Sequence, residues 1–254
     1  MTQGRRRILK TLGALSALSH LPGARAESPA PPNLPEAPTP ATPADTYTYL
    51  SPTEVDFLEA ALARLIPADE LGPGAKEAGV VVFIDRQLDG DFGTMAREYR
   101  QGPWPEGTPQ QGDQGRLTPR EIYRAAIAET DRRCASRHGK RFCELEPPQQ
   151  EGVLRELEEG TLALESAPAP LFFRLLWQNT REGFFADPIY GGNRGKVGWK
   201  LVGFPGVASA YTDHIEKHGT PYRVEPVSIA DLRSGRVRTD EHGHPRHVPP
   251  GGGE

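Results

Sequence analysis

The chain has 254 residues, 36% of them hydrophobic, with 28 glycines, 26 prolines and a formal net charge of −4. That balance, without a basic stripe, excludes nucleic acid as a partner. The glycine and proline content points to one core surrounded by much irregular structure.

The N-terminus has the three regions of an export signal in order. Arg5 and Arg6, followed by Arg7, Ile8, Leu9 and Lys10, match the twin-arginine pattern, Thr11 to Leu21 is mildly apolar, and Ala24-Arg25-Ala26 is a cleavage site. Residues 1–26 are therefore expected to be a twin-arginine export signal. Its removal deletes Arg5, Arg6, Arg7, Lys10 and Arg25 and no acid, which takes the net charge from −4 to −9. Residues 27–46 are punctuated by proline and are expected to be an extended linker. No later segment approaches the roughly 20 apolar residues of a membrane span.

The first domain helix is announced by Ser51 as N-cap, Pro52 at the first helical position, Glu54 closing a capping box and Leu50 placed to staple against Val55. Val55, Leu58, Leu62, Leu65 and Ile66 make its apolar stripe, and Pro67 ends it. Val80 to Ile84 is a β-branched run that fits a buried strand or a helix; the Gly-Pro-Gly lead-in and the lack of a hairpin partner predict a helix over Lys76–Leu88. Leu117, Thr118, Pro119, Glu121 and Ile122 repeat the capping device and predict a helix that stops at Gly139. Pro147 opens another over Gln149–Glu159, and Pro170 opens one through Phe172, Leu175, Leu176 and Asn179 that stops at Gly183. A short last helix is expected over Ala208–Lys217. The fold class is mainly α: an irregular helical domain over residues 47–222 with long Gly/Pro-rich loops, followed by a disordered tail over 223–254.

The connections Asp89–Arg116 and Ala186–Val207 exceed the ~12–15 residues of passive loops. The second lies in NTREGFFADPIYGGNRGKVGWKLVGFPG, residues 179–206, where seven glycines alternate with Phe184, Phe185, Tyr190, Trp199 and Phe204. A flexible linker is poor in aromatics, so this segment packs onto its own core or onto another protein. Asn179, Arg181, Phe184, Phe185, Asp187, Tyr190, Asn193 and Trp199 form the expected contact or loop-shaping set.

Cofactor motifs are missing. There is no C-x-x-C-H for haem, two cysteines do not hold an iron–sulfur cluster alone, and no G-x-G-x-x-G follows a strand. Gly191-Gly192-Asn193-Arg194-Gly195 lacks the Lys-Ser/Thr of a phosphate loop. No catalytic, cofactor-binding or metal-binding residue is assigned. His242, His244 and His247 have H-x-H-x-x-H spacing but sit in a proline- and glycine-rich tail, and His138, His214 and His218 fall at helix ends, where a cation suits the dipole. Asp187, Tyr190, Arg194 and Lys196 are the acid–base candidates, each with an alternative structural role.

Cys134 and Cys143 are the only cysteines. A continuous helix would hold their Cα atoms ~13.5 Å apart, beyond the ~4.4–6.8 Å a disulfide permits. A bond therefore requires the chain to reverse near Gly139; two free thiols are the alternative.

The 179–206 segment resembles the C-terminal signature of the gluconate 2-dehydrogenase subunit 3 family. Leu50-Ser51-Pro52, Leu65-Ile66-Pro67-Ala68-Asp69, Ala78-Gly79-Val80 through Ile84-Asp85, Gln101-Gly102-Pro103 and Leu117-Thr118-Pro119 look like its other landmarks, and Gly195-Lys196 departs from the usual pattern. The resemblance implies a small subunit without a cofactor of its own. It would bind a flavoprotein of the glucose-methanol-choline oxidoreductase type that carries FAD. A third subunit, a multihaem cytochrome c, would complete a periplasmic, membrane-associated sugar or sugar-acid dehydrogenase. The twin-arginine translocase is the implied export partner, with this chain supplying the signal for the flavoprotein. Two other readings stand beside it: a self-sufficient periplasmic enzyme or binding protein using the Asp187 to Trp199 loop, and a structural adaptor unrelated to redox chemistry.

Overall fold

A computed structural model describes residues 46–105, 107–112, 114–207, 211 and 214–248. The chain divides into two units, residues 1–37 and 38–254. The first lies wholly outside the described residues, and so do the expected export signal with Arg5 and Arg6 and all but the last residue of the linker.

The described part is helical, with α1 (Pro52–Leu65), α2 (Val80–Asp89), α3 (Asp91–Thr94), α4 (Pro119–His138), α5 (Pro147–Glu159), α6 (Ala169–Phe185), α7 (Val197–Val202) and α8 (Ile229–Arg233). Among the described residues there is no strand, only isolated bridges. No described helix is long and apolar enough to cross a membrane.

Both capping boxes form. The Ser51 N–H donates to the Glu54 carboxylate at 2.7 Å, and the Thr118 N–H and hydroxyl both donate to Glu121 at 2.8 Å. Those bonds hold Glu121 below the usual carboxylate range. α4 ends where expected, with Gly139 left-handed at φ 72°. In α1 the buried face is Phe57, Leu58, Ala61 and Leu62, whereas Val55, Leu65 and Ile66 are only partly buried. Phe57 turns inward because its ring meets Phe142 at 4.5 Å and Phe172 at 6.3 Å, and Phe172 meets Tyr123 edge-on at 5.4 Å.

Residues 80–84 are helical, and their unbroken apolar run has a physical reason. α2 packs against α1, α3, α4 and α6, and Val80 through Asp85 and Leu88 are all buried. Its first six residues are covered all round and need no polar side; Arg86 and Asp89 in the last turn meet solvent. Its one buried charge, Asp85, accepts from the backbone N–H groups of Thr48, Tyr49 and Leu50 and from the Thr48 hydroxyl at 2.8–3.0 Å. Those bonds fasten the start of the domain to its central helix.

Three expectations need correction. The helix opened by Pro170 does not stop at Gly183: α6 continues to Phe185. Gly183 is small because α2 crosses there, and a Cβ would lie 2.8 Å from the Phe83 ring and 2.9 Å from Val80. Of the helix expected over Ala208–Lys217, residues 208–210, 212 and 213 lie outside the described residues, and His214 to Lys217 is a turn. Of the segment 223–254, expected to be disordered, residues 223–248 contain α8 and hydrogen bonds to the body as far as His247, and residues 249–254 lie outside the described residues.

Cys134 and Cys143 are free thiols. The chain does reverse after Gly139, but the Phe142 N–H is held at 3.0 Å by the Asp131 carboxylate. This seats the Phe142 ring in the core and leaves Cys143 partly exposed, while Cys134 is buried on α4 and its thiol is pushed up to about 11 by burial.

Candidate functional site

The glycine–aromatic segment is a folded platform on the end of α6. After Ala186, the Asp187 carboxylate accepts from the Ile189 N–H at 3.0 Å and shapes the turn Pro188–Tyr190. The chain then folds back over the helix it has left. Gly192 and Gly198 sit so close to α6 that a Cβ on either would fall 2.2 Å from the Gly183 carbonyl oxygen or 2.1 Å from that of Phe184. Only glycine permits that approach.

Asn193 joins the two layers. It is fully buried and left-handed at φ 49°. Its Nδ2 donates to the Ala186 carbonyl at 2.8 Å, and its Oδ1 accepts from the Gly198 N–H at 2.8 Å. An asparagine tolerates that backbone and supplies both a donor and an acceptor. The next residue donates its N–H to the Ala78 carbonyl at 3.0 Å, tying the platform to the lead-in of α2. The Gly-Gly-Asn-Arg-Gly run is thus packed on protein backbone rather than forming an open phosphate cradle. α7 follows, and Trp199 on it is 5% exposed, donating from Nε1 to the Phe185 carbonyl at 2.7 Å and meeting Phe204 edge-on at 5.3 Å.

The C-terminal segment straps this platform. Val227 exchanges backbone hydrogen bonds with Pro205 and Val207 at 3.0 and 2.7 Å, and Gly206 leaves room for it. The second Asp187 oxygen accepts from the Ile229 N–H at 2.8 Å. Lys196, left-handed at φ 57°, donates from Nζ to the Pro226 carbonyl at 2.7 Å and to Asp231 at 2.6 Å. Burial opposes ionisation of Asp231, but Lys196 and the Ser228 N–H and hydroxyl outweigh it and hold the carboxyl below its usual range.

A carboxylate with a depressed folded pKa stabilises above its unfolded value of about 3.9 and loses that contribution as pH falls through the folded value. The strap is therefore expected to loosen as the pH falls through that range. Hydrogen exchange at residues 226–231, corrected for intrinsic rates, checks this. Protection unchanged across that range would contradict it.

The expected contact set divides in two. Asn179, Phe184, Asn193 and Trp199 lie inside, each no more than 5% exposed; Asn179 Nδ2 donates to the Tyr123 hydroxyl at 3.0 Å. Asp187 is half-buried and spent on the turn and the strap. Arg181 is exposed and stacks over Trp177 at 5.4 Å, and Phe185 and Tyr190 are exposed. Leu201, Val202 and Phe204 join these on the outside, 46–60% exposed. Leu201 and Val202 have no motif of their own; the available signal was their place two and three residues beyond a tryptophan that had to face inward.

Asp187 and Lys196 are committed to strap contacts, and the Tyr190 side chain is outside. Among the described residues, no three His, Cys, Asp or Glu side chains gather to hold a metal. His244 instead lies 3.3 Å from Asp240, and His247 contacts the Val207 carbonyl at 3.2 Å and the Tyr222 ring.

No curated protein and no solved structure matches the chain significantly. A protein-family model described as gluconate 2-dehydrogenase subunit 3 matches residues 52–206, from the first position of α1 to the glycine beneath the strap. That span is more than half of the chain and takes in every element of the helical core and platform, so the protein belongs to the gluconate 2-dehydrogenase subunit 3 family.

Proposed function

We propose that this chain is the non-catalytic small subunit of a periplasmic FAD-dependent sugar or sugar-acid dehydrogenase, which it binds, escorts through twin-arginine export and stabilises. The family's name is that of one subunit of gluconate 2-dehydrogenase, and so implies a multisubunit oxidoreductase complex. FAD then belongs to a flavoprotein partner of the glucose-methanol-choline oxidoreductase type, and haem c to a cytochrome subunit through which the complex associates with the membrane. The observation that carries the reading is the set of exposed apolar side chains on the platform, Phe185, Tyr190, Leu201, Val202 and Phe204. Such side chains are normally covered in a complex.

The platform has the properties of a binding surface more than of a catalytic one. Asp187, Asn193 and Lys196 are consumed in holding its own shape, while Phe185, Tyr190 and Phe204 are left outward. A rigid face loses little conformational freedom on docking, which favours affinity. The export reading rests on the Arg5-Arg6 signal: a leader with the twin-arginine pattern suits passenger complexes that fold before transport.

Co-expression tests the proposal. With this chain present, the flavoprotein is expected to be soluble, loaded with flavin and delivered to the periplasm; without it, all three should fall together. Unchanged flavin content and delivery in its absence would overturn the reading.

A further inference from the structure

The strap is seated in the platform as a peptide is seated in a receptor. Pro226, Val227 and Ser228 are buried, and their backbone runs parallel to residues 205–207. The Val227 N–H donates to the Pro205 carbonyl at 3.0 Å, and the Val207 N–H donates to the Val227 carbonyl at 2.7 Å. Gly206 is the floor of this slot: a Cβ there would fall 2.1 Å from the Val227 carbonyl oxygen and 2.9 Å from the Trp199 indole. Lys196 Nζ donates to the Pro226 carbonyl at one end, and Asp187 accepts from the Ile229 N–H at the other.

Main-chain pairing of this kind holds an added extended segment, and side-chain contacts select which one. Here those contacts are complementary in charge. Lys196 meets Asp231 at 2.6 Å, and Lys200 lies 3.8 Å from Glu225. The slot's own acid, Asp187, spends its two oxygens on the backbone N–H groups of Ile189 and Ile229. Two observations set the strap apart from the frame that holds it. Val227 is buried but is not a member of the helical core, which runs from Leu50 to Phe184. The family match ends at Gly206, so Asp187, Lys196 and Pro205 lie within it and the strap lies beyond.

We propose that the slot is a binding site for an extended peptide with an aliphatic residue four positions ahead of a carboxylate, and that residues 225–231 are its resident ligand in cis. When the strap leaves, a segment of the same pattern from a partner chain adds in its place. The tether through residues 208–224 gives the resident segment a high effective concentration, so the intact chain excludes weaker competitors. The inference rests on the geometry of the slot and not on the flavoprotein reading, and its test uses no flavoprotein.

Fluorescence anisotropy of a fluorescein-labelled peptide of residues 223–233, titrated with the full chain, provides that test. Wild type is compared with Val227→Asp/Asp231→Asn, which weakens the resident strap and leaves Asp187, Lys196 and Gly206 unchanged. The double variant is expected to bind the peptide saturably and at least about tenfold more tightly than wild type. That binding should weaken at least about tenfold when Lys196→Gln is added to the double variant, or when the peptide itself carries Asp231→Asn. A peptide of the same composition in scrambled order should not bind saturably. Absence of saturable binding to the double variant, equal binding by wild type, indifference to Lys196→Gln or equal binding of the scrambled peptide would each overturn the proposal. Loss of helical circular dichroism in the double variant would overturn it too, because a strap that the helical core needs is not a replaceable ligand.

Discussion

Trp199→Ala is expected to destabilise the chain by about 3–5 kcal/mol, the usual cost of truncating a buried large aromatic. Three contacts go at once. The indole packs beneath α7, donates to the Phe185 carbonyl at 2.7 Å and supports the Phe204 ring. Loss of the donor also leaves a carbonyl at the end of α6 short of its partner, which adds to the cost when that group stays dry. Tyr190→Ala removes a side chain that is 52% exposed and is expected to change stability by no more than about 0.5 kcal/mol. Urea denaturation of both variants checks the contrast. A Trp199→Ala chain as stable as the Tyr190→Ala chain would mean that the platform is not built around the indole.

That contrast separates two roles which the aromatic spacing alone leaves merged. Glycines alternating with rings show that rings must be covered, and four of the eight singled-out residues are covered by their own chain. The direction each faces depends on contacts across the fold. Trp199 is drawn inward by a carbonyl fourteen residues earlier, and Asn193 by two backbone groups on either side of it.

Elements whose causes are local were the legible ones. Ser51-x-x-Glu54 and Thr118-x-x-Glu121 mark helix starts because the bonds that stabilise them close within one turn. Gly139 marks a helix end because its left-handed φ is set by the terminus itself. Gly183 carries the same letter for a different reason: it makes room for α2, a contact a hundred residues away in sequence, so its resemblance to a stop signal misled.

The strap was illegible for a related reason. Residues 225–248 have no apolar periodicity, and their order comes from Lys196, Asp187 and the backbone at Pro205 and Val207. One local sign was present. Ser228-x-x-Asp231 is a capping box, with the Ser228 N–H donating to Asp231 at 3.0 Å, but a helix of one turn gives too little pattern to be read without its tertiary partners. Lys196 was weighed as an acid–base group because its anionic partner lay in the segment expected to be disordered.

The remaining large effect concerns the outward half of the platform. Phe185→Ser/Leu201→Ser/Phe204→Ser removes three apolar side chains that are 42–49% exposed. Exposed sites tolerate such changes at small cost to folding, with Phe204 the most sensitive because it rests on Trp199. Their effect on a complex should be far larger, since central aromatic and aliphatic anchors each carry about 2 kcal/mol or more when truncated. Two such anchors already correspond to a loss of affinity on the order of 100-fold or greater.

The decisive measurement is therefore recovery of the flavoprotein by affinity capture of this chain from cells expressing both, comparing wild type with the triple serine variant and scoring the flavin that co-elutes. A wild-type complex with bound flavin, lost in a variant whose urea midpoint stays near wild type, is the predicted result. Full recovery of the flavoprotein by the variant would contradict the claim that this face is where the partner binds.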